Sequence, residues 1–333
     1  MVNRNFKLVT TEVETPLVNA AGSINGTSSE QILRQVETLA ATAIGAITVG
    51  SFTVPQQAGN EVKYGSPTYY HDQETGSTYN SMGLPNIGLE AAIQLMPDII
   101  NRAWDKGKPV IASVSPTQSS PENGGNAFGQ VERLVEGMLE AEVDLIEVNT
   151  SCPNVVTESG GRKPILGYDL EAMEELLSTL STSAARTESF RIGLKLPPYV
   201  SDEEKLVVPQ LADLFRRYRG AFNFLVTSNT IPNQVARNAA GEPILTVPGG
   251  AGGMSGPSTR EVGREQLRMW QDLMGEDIEI ISSLGVDSGK ELAVRRQLGA
   301  AAAGGVTFLW ESKDWGIAVT DVISDWVAAE EQS

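Results

Sequence analysis

Between Leu145 and Val155 the sequence reads Leu-Ile-Glu-Val-Asn-Thr-Ser-Cys-Pro-Asn-Val. An apolar run of strand type turns abruptly polar, and the polar part carries two carboxamides, Asn149 and Asn154, a hydroxyl pair and Cys152, the only cysteine of the chain. Pro153 stops the strand and stiffens its exit. An isolated cysteine is more often a buried apolar residue than a reactive one. The polar company of Cys152 favours a site, in which a thiol with an ordinary pKa near about 8.5 becomes a base once partly deprotonated.

Other segments end in the same way. Asn80 opens Asn-Ser-Met-Gly-Leu-Pro-Asn in a long polar loop, and Asn229 and Thr230 follow the apolar run Phe222 to Val226. Carboxamides offer donors and acceptors together, which suits a flat heterocycle with alternating N–H and C=O groups. Taken singly, each asparagine is as well explained by turn formation. Lys195 lies within the apolar run of Gly-Leu-Lys-Leu-Pro-Pro. A buried lysine is costly unless it meets negative charge, either on a ligand or on a core carboxylate.

The elements that must position these residues alternate regularly. Strand-like runs at Pro16 to Ala21, Ala46 to Val49, Pro109 to Val114, Asp144 to Val148, Ile192 to Leu196, Phe222 to Val226, Ile278 to Ile281 and Gly305 to Leu309 are each followed by a helix-like stretch. Ser28 with Gln31, and Ser201 with Glu204, have the spacing of capping boxes. Eight strand–helix units in 333 residues predict a closed (β/α)8 TIM barrel forming one domain over 1–333, with elaborated loops after strands 2, 4 and 6. A doubly wound open sheet is the alternative, but no Gly-x-Gly-x-x-Gly follows the first strand.

Composition narrows the chemistry. One cysteine and one histidine, His71, exclude an intrachain disulfide and a multi-histidine metal site, so no metal is expected. A net charge of −17 argues against nucleic acid and against anionic membranes. No signal peptide or membrane span is read, which makes the cytoplasm the expected location.

As a set, Asn80 to Asn86, Asn149-x-Ser-Cys-Pro-Asn-Val and Lys195-Leu-Pro-Pro-Tyr resemble the dihydroorotate dehydrogenase family. The likeness is nearer its soluble class 1, 1A-like branch, with this chain a divergent member, and it runs from Asn19 to Thr307. It implies an FMN-containing barrel that oxidises dihydroorotate to orotate. It implies that Cys152 is the base and that Lys195 lies against the flavin. Asn80, Asn149, Asn154, Asn229 and Thr230, with backbone from Met82, Gly83 and Leu84, are then the pyrimidine-holding positions. Ala21, Gly22, Gly50 and Ser51, with Asn149 and Lys195, match cofactor-binding positions. Gly252, Gly253, Ser282, Ser283, Gly285 and Thr307 match those nearer the phosphate. The segment 156–167 is the expected lid. The resemblance further implies a homodimer and a soluble electron acceptor, either fumarate or an iron–sulfur partner subunit serving NAD.

The chain departs from the family pattern at three places. Leu284 and Val306 stand where glycine is usual, and no lysine follows strand two, where Val49 and Gly50 lie. Weak activity on dihydroorotate is the expectation, with a dehydrogenase of another dihydropyrimidine-like substrate, or a catalytically inactive barrel serving as a binding protein, as the alternatives. Val49→Lys or Gly50→Lys is expected to raise it.

Overall fold

The computed structural model describes residues 6–117, 127–151, 165–184 and 191–331. In chain order the strands are β1 (Phe6–Leu8), β2 (Thr11–Val13), β3 (Leu17–Asn19), β4 (Ile47–Phe52), β5 (Tyr69–His71), β6 (Thr78–Asn80) and β7 (Val110–Val114). They continue as β8 (Leu145–Asn149), β9 (Ile192–Leu196), β10 (Phe224–Thr227), β11 (Ile231–Val235), β12 (Ala251–Ser255), β13 (Glu279–Ser282) and β14 (Ala302–Gly305). The helices are α1 (Ser29–Ala40), α2 (Asn60–Tyr64), α3 (Leu89–Trp104), α4 (Ala127–Glu140) and α5 (Leu170–Ala184). After these come α6 (Asp202–Arg217), α7 (Arg260–Met274), α8 (Gly289–Gln297), α9 (Thr307–Trp310) and α10 (Trp315–Glu330).

Eight strands form one parallel sheet in the order β3-β14-β13-β10-β9-β8-β7-β4. Its two ends meet through the parallel bridges Val18 to Ala46 and Ile24 to Val49. The sheet is therefore closed, and the fold is the expected (β/α)8 barrel. Strands buried on both faces read as near-continuous apolar runs. Val18, Ala46, Ile111, Leu145, Phe224 and Ile281 fill the interior, while Ile47, Val49, Val110 and Ala112 belong to the layer under the helices. Gly193 makes room for one interior residue: a Cβ there would lie 2.2 Å from the Phe224 ring.

Two substructures go beyond the sequence reading. β1 and β2 form an antiparallel hairpin, and Leu8 and Val13 pack into the interior cluster. Its Val9 amide donates to Glu279 Oε2 at 2.6 Å, at the first residue of β13, so the hairpin plugs the N-terminal end of the barrel. β11, β12, β6 and β5 form a four-stranded sheet built from the loops after the second and sixth barrel strands. It stands over the C-terminal ends.

Helix starts follow local chemistry unevenly. At Ser201 the capping box forms, with Glu204 N–H donating to Ser201 Oγ and Ser201 N–H to Glu204 Oε2. At Ser28 it does not: the residue is extended and makes no side-chain cap bond. Gln31 has turned toward Gly26 instead, where a Cβ would lie 2.9 Å from its Oε1.

Candidate active site

A cavity opens at the C-terminal ends of the barrel strands. Of the residues singled out in the sequence, it brings together Ala21, Gly22, Ser51, Asn80, Met82, Gly83 and Leu84. Asn149, Lys195, Asn229, Thr230, Ser283, Gly285 and Thr307 complete that set. Cys152 and Asn154, like most of the expected lid, lie outside the described residues.

A directional hydrogen-bond chain holds the carboxamides. The Ser151 amide and hydroxyl both donate to Asn149 Oδ1, at 3.1 and 2.8 Å. A backbone N–H can only donate, so the oxygen of Asn149 is fixed and its Nδ2 must face Ser51 Oγ, 3.3 Å away. Thr230 N–H likewise fixes Asn229 Oδ1 at 2.8 Å, and Asn229 Nδ2 donates to Ser151 Oγ at 2.9 Å. From Ser51 the chain runs to Ser113 Oγ at 2.8 Å and from Ser113 to Glu147 Oε1 at 2.7 Å. It ends on a carboxylate.

That carboxylate is also the partner of Lys195, whose Nζ lies 3.7 Å from Glu147 Oε1, with both side chains buried. Lys195 thus has the core partner that burial demands, and it also reaches the cavity wall. Glu147 went unnoticed in sequence because it sits within an apolar run. Its neighbour two residues on, Asn149, points the same way along the strand, and that period was the available signal.

The glycines divide by role. Gly22 adopts φ +99 and a Cβ there would meet nothing within 4 Å, so the wall is open to close approach. Gly50 is not in the wall. Its carbonyl accepts from Gly22 N–H and its amide donates to Ile24, bracing the Gly22 turn. Gly252 and Gly253 lie in β12, paired with β6, and not in a loop. There a Cβ would collide with Asn80 O at 2.5 Å or Thr230 Oγ1 at 2.0 Å, so these glycines let β12 pack against two site residues. Ser282 also faces away, accepting from Arg295 Nη1 at 2.7 Å.

The wall contains residues that the sequence reading did not single out. Ser228 is buried, lines the cavity, and its Oγ has no partner among the described residues. Tyr69 and Trp310 stack edge to face at 5.0 Å on the rim. Tyr69 donates to Glu311 Oε1 at 2.5 Å, and His71 pairs with the same carboxylate. Burial first, and then Glu311, raise the Tyr69 phenol above its ordinary range and keep it a donor. Asp287 also lines the cavity, held bidentately by Arg260 at 2.7 and 2.9 Å. Burial raises its carboxyl above the ordinary value, with Arg260 opposing.

The geometry revises one expectation. Val49 is buried under the helices, so a lysine there would enter the apolar layer and not the cavity. Gly50 has φ +91, and its Cβ would lie 2.6 Å from the Ser113 carbonyl. Left-handed backbone costs a side-chain-bearing residue roughly 1–2 kcal/mol before any collision. Val49→Lys and Gly50→Lys are therefore both expected to lower the melting temperature by several degrees without raising kcat/KM. Thermal unfolding beside steady-state assays would check this.

Parallel barrels place their chemistry where the strands end, and the cavity lies there: the chain is built as a barrel enzyme. The family model described as "Dihydroorotate dehydrogenase" matches residues 4–325. A dihydroorotate dehydrogenase A (fumarate) of Lactococcus lactis subsp. lactis (strain IL1403) is 27% identical over 283 residues, covering 84% of this chain and 79% of the relative. A putative dihydroorotate dehydrogenase A (fumarate) of Streptococcus equi subsp. equi is 28% identical over 308 residues, 90% and 85% of the two chains. The solved structure of ligand-free DHODH from Eimeria tenella superposes with a TM-score of 0.77 at 16% identity, over 98% of this chain and 88% of the other, and so shares the fold. This chain belongs to the dihydroorotate dehydrogenase family, as a divergent member and an oxidoreductase. Among the described residues no helix is long and apolar enough to cross a membrane.

Proposed function

We propose that this chain is an FMN-dependent oxidoreductase that takes dihydroorotate or a close dihydropyrimidine, with Cys152 as the base. One observation carries the reading: Asn149, Asn229, Thr230 and Asn80 surround the same cavity as a buried lysine. The wall fits the cofactor. Ser228 offers a hydroxyl with no partner among the described residues, Gly22 leaves room for a ring, and Leu284 to Val286 and Gly305 to Thr307 line the same cavity.

Bound FMN supplies the hydride acceptor. The residues of this chain hold, orient and deprotonate. Asn149 Nδ2 has a second hydrogen to give a ligand carbonyl, because its oxygen is already committed to Ser151. Asn229 Oδ1 accepts from the Thr230 amide at 2.8 Å and from its hydroxyl at 3.4 Å, and the longer bond is the one a ligand N–H would replace. Lys195 brings a fixed positive charge to the wall, where a developing negative charge is stabilised without reorganisation. The Cys152 thiolate takes the proton from the carbon next to the ring carbonyl.

The test is direct. Apo-protein titrated with FMN is expected to bind about one FMN per chain, and dihydroorotate is expected to bleach the flavin absorbance anaerobically. A protein that stays colourless after FMN is added would end the reading. Among the described wall residues Lys195 is the only cation, and it already faces Glu147. An uncharged dihydropyrimidine therefore belongs in the same assay. If it bleaches the flavin faster than dihydroorotate does, the carboxylate is not part of the natural substrate. Fumarate, and NAD through a partner subunit, are the acceptors to compare in turnover.

A further inference from the structure

Arg295 is fully buried in α8 and does not line the cavity. A guanidinium has five N–H donors, and all five are engaged. Nε donates to Glu291 Oε1 at 2.6 Å. Nη1 donates to Ser282 Oγ at 2.7 Å and to Ser283 O at 3.2 Å. Nη2 donates to Arg260 O at 3.1 Å and to Leu284 O at 2.9 Å. Glu291 is held in turn by Arg264, at 3.1 and 2.5 Å. Gly263 clears the space, since a Cβ there would lie 2.2 Å from Leu284 O and 2.7 Å from Arg295 Nη2.

The consequence follows from peptide geometry. In a planar trans peptide the carbonyl and the next N–H point in opposite directions. With the Ser283 and Leu284 carbonyls drawn onto Arg295, the amides of Leu284 and Gly285 turn the other way, toward the cavity that both residues line. Among the described residues neither amide donates to a protein acceptor. Leu284 holds φ +66, a conformation that costs a non-glycine residue about 1–2 kcal/mol, and its carbonyl is clamped by the fork. Asp287 brings a carboxylate to the same end, compensated by the bidentate Arg260.

We propose that Arg295 is the positioning residue of an anion cradle: it fixes the backbone at 283–285 so that the Leu284 and Gly285 amides converge on the phosphate of bound FMN. This rests on the flavin reading above. The bracing acts only where the phosphate sits, which makes riboflavin, differing by that phosphate alone, the discriminating probe.

The experiment compares affinities of apo-protein for FMN and riboflavin by quenching of flavin fluorescence. Wild type is expected to favour FMN. Arg295→Lys keeps the charge but loses the fork, and is expected to weaken FMN binding about 10–100-fold, the worth of about one hydrogen bond to a charged group. Its riboflavin affinity is expected to stay within about twofold of wild type. Gly263→Ala crowds the same carbonyl and the guanidinium that holds it and is expected to shift the ratio in the same direction. It decides the matter should Arg295→Lys not fold, as judged by circular dichroism. Equal loss of both flavins, or an unchanged ratio in the folded variants, overturns the role of Arg295 alone. A wild type that binds neither flavin overturns the flavin reading and this proposal with it.

Discussion

Replacing Cys152 with alanine is expected to leave FMN affinity intact and to slow reduction of the bound flavin by dihydroorotate about 10²–10⁴-fold, the contribution of a positioned base. The described chain leads to this residue. β8 carries Asn149 into the cavity wall, and Ser151 is buried and bonded to both Asn149 and Asn229. Single-turnover reduction followed by stopped flow isolates the chemical step from product release. The pH dependence adds a second check. Only the thiolate accepts a proton, so the wild-type rate should climb with pH toward the ordinary thiol range, near about 8.5. That limb should vanish in Cys152→Ala. If the variant keeps both rate and pH profile, the base lies elsewhere and Cys152 merely fills space.

The barrel was legible because its signal is long and redundant. Parallel strands covered on both faces read as apolar runs, and eight such runs leave few alternatives, although the eighth, read at Gly305 to Leu309, lies at Ala302–Gly305 with Thr307–Trp310 helical. The site was legible where strand ends turn polar, as at Asn149 and Asn229. What escaped has specific causes. β1, β2, β5 and β6 are three residues each, too short for any periodicity to register. β12 reads Ala-Gly-Gly-Met-Ser, and its glycines look like a loop until Asn80 and Thr230 are seen pressed against them. Ser228 and Arg295 carry no local signature. The first matters because its hydroxyl has no partner among the described residues, the second because five acceptors from α7, α8 and the β13 turn meet on it, and both are properties of the assembled fold. The capping box at Ser28 failed for a related reason: its Gln31 was drawn to a neighbour that spacing alone does not reveal.

Lys195→Met is expected to destabilise the protein by roughly 3–5 kcal/mol, the effect of removing one partner from a buried ion pair. Among the described residues Glu147 would keep only Ser113 to offset its charge. Glu147→Gln is expected to be similarly destabilising, since it strands the ammonium inside the barrel mouth. The double variant Lys195→Met/Glu147→Gln carries neither buried charge and should recover most of the lost stability, because a buried pair replaced as a unit is often close to neutral. Function is expected to separate from stability at this point. Glu147→Gln leaves Lys195 in the wall, so flavin reduction should persist in whatever fraction stays folded. The double variant, though stable, lacks the cation and should reduce its flavin about 10²–10³-fold more slowly, the loss typical of removing one preorganised electrostatic group. Urea unfolding of the four proteins gives the coupling energy, and stopped-flow reduction of the same samples gives the catalytic effect. If the double variant is both stable and fast, Lys195 serves only to neutralise Glu147. If it is no more stable than the single variants, the 3.7 Å pair is not what keeps these charges inside the barrel, and the hydroxyl chain through Ser113 and Ser51 bears more of the load than the lysine does.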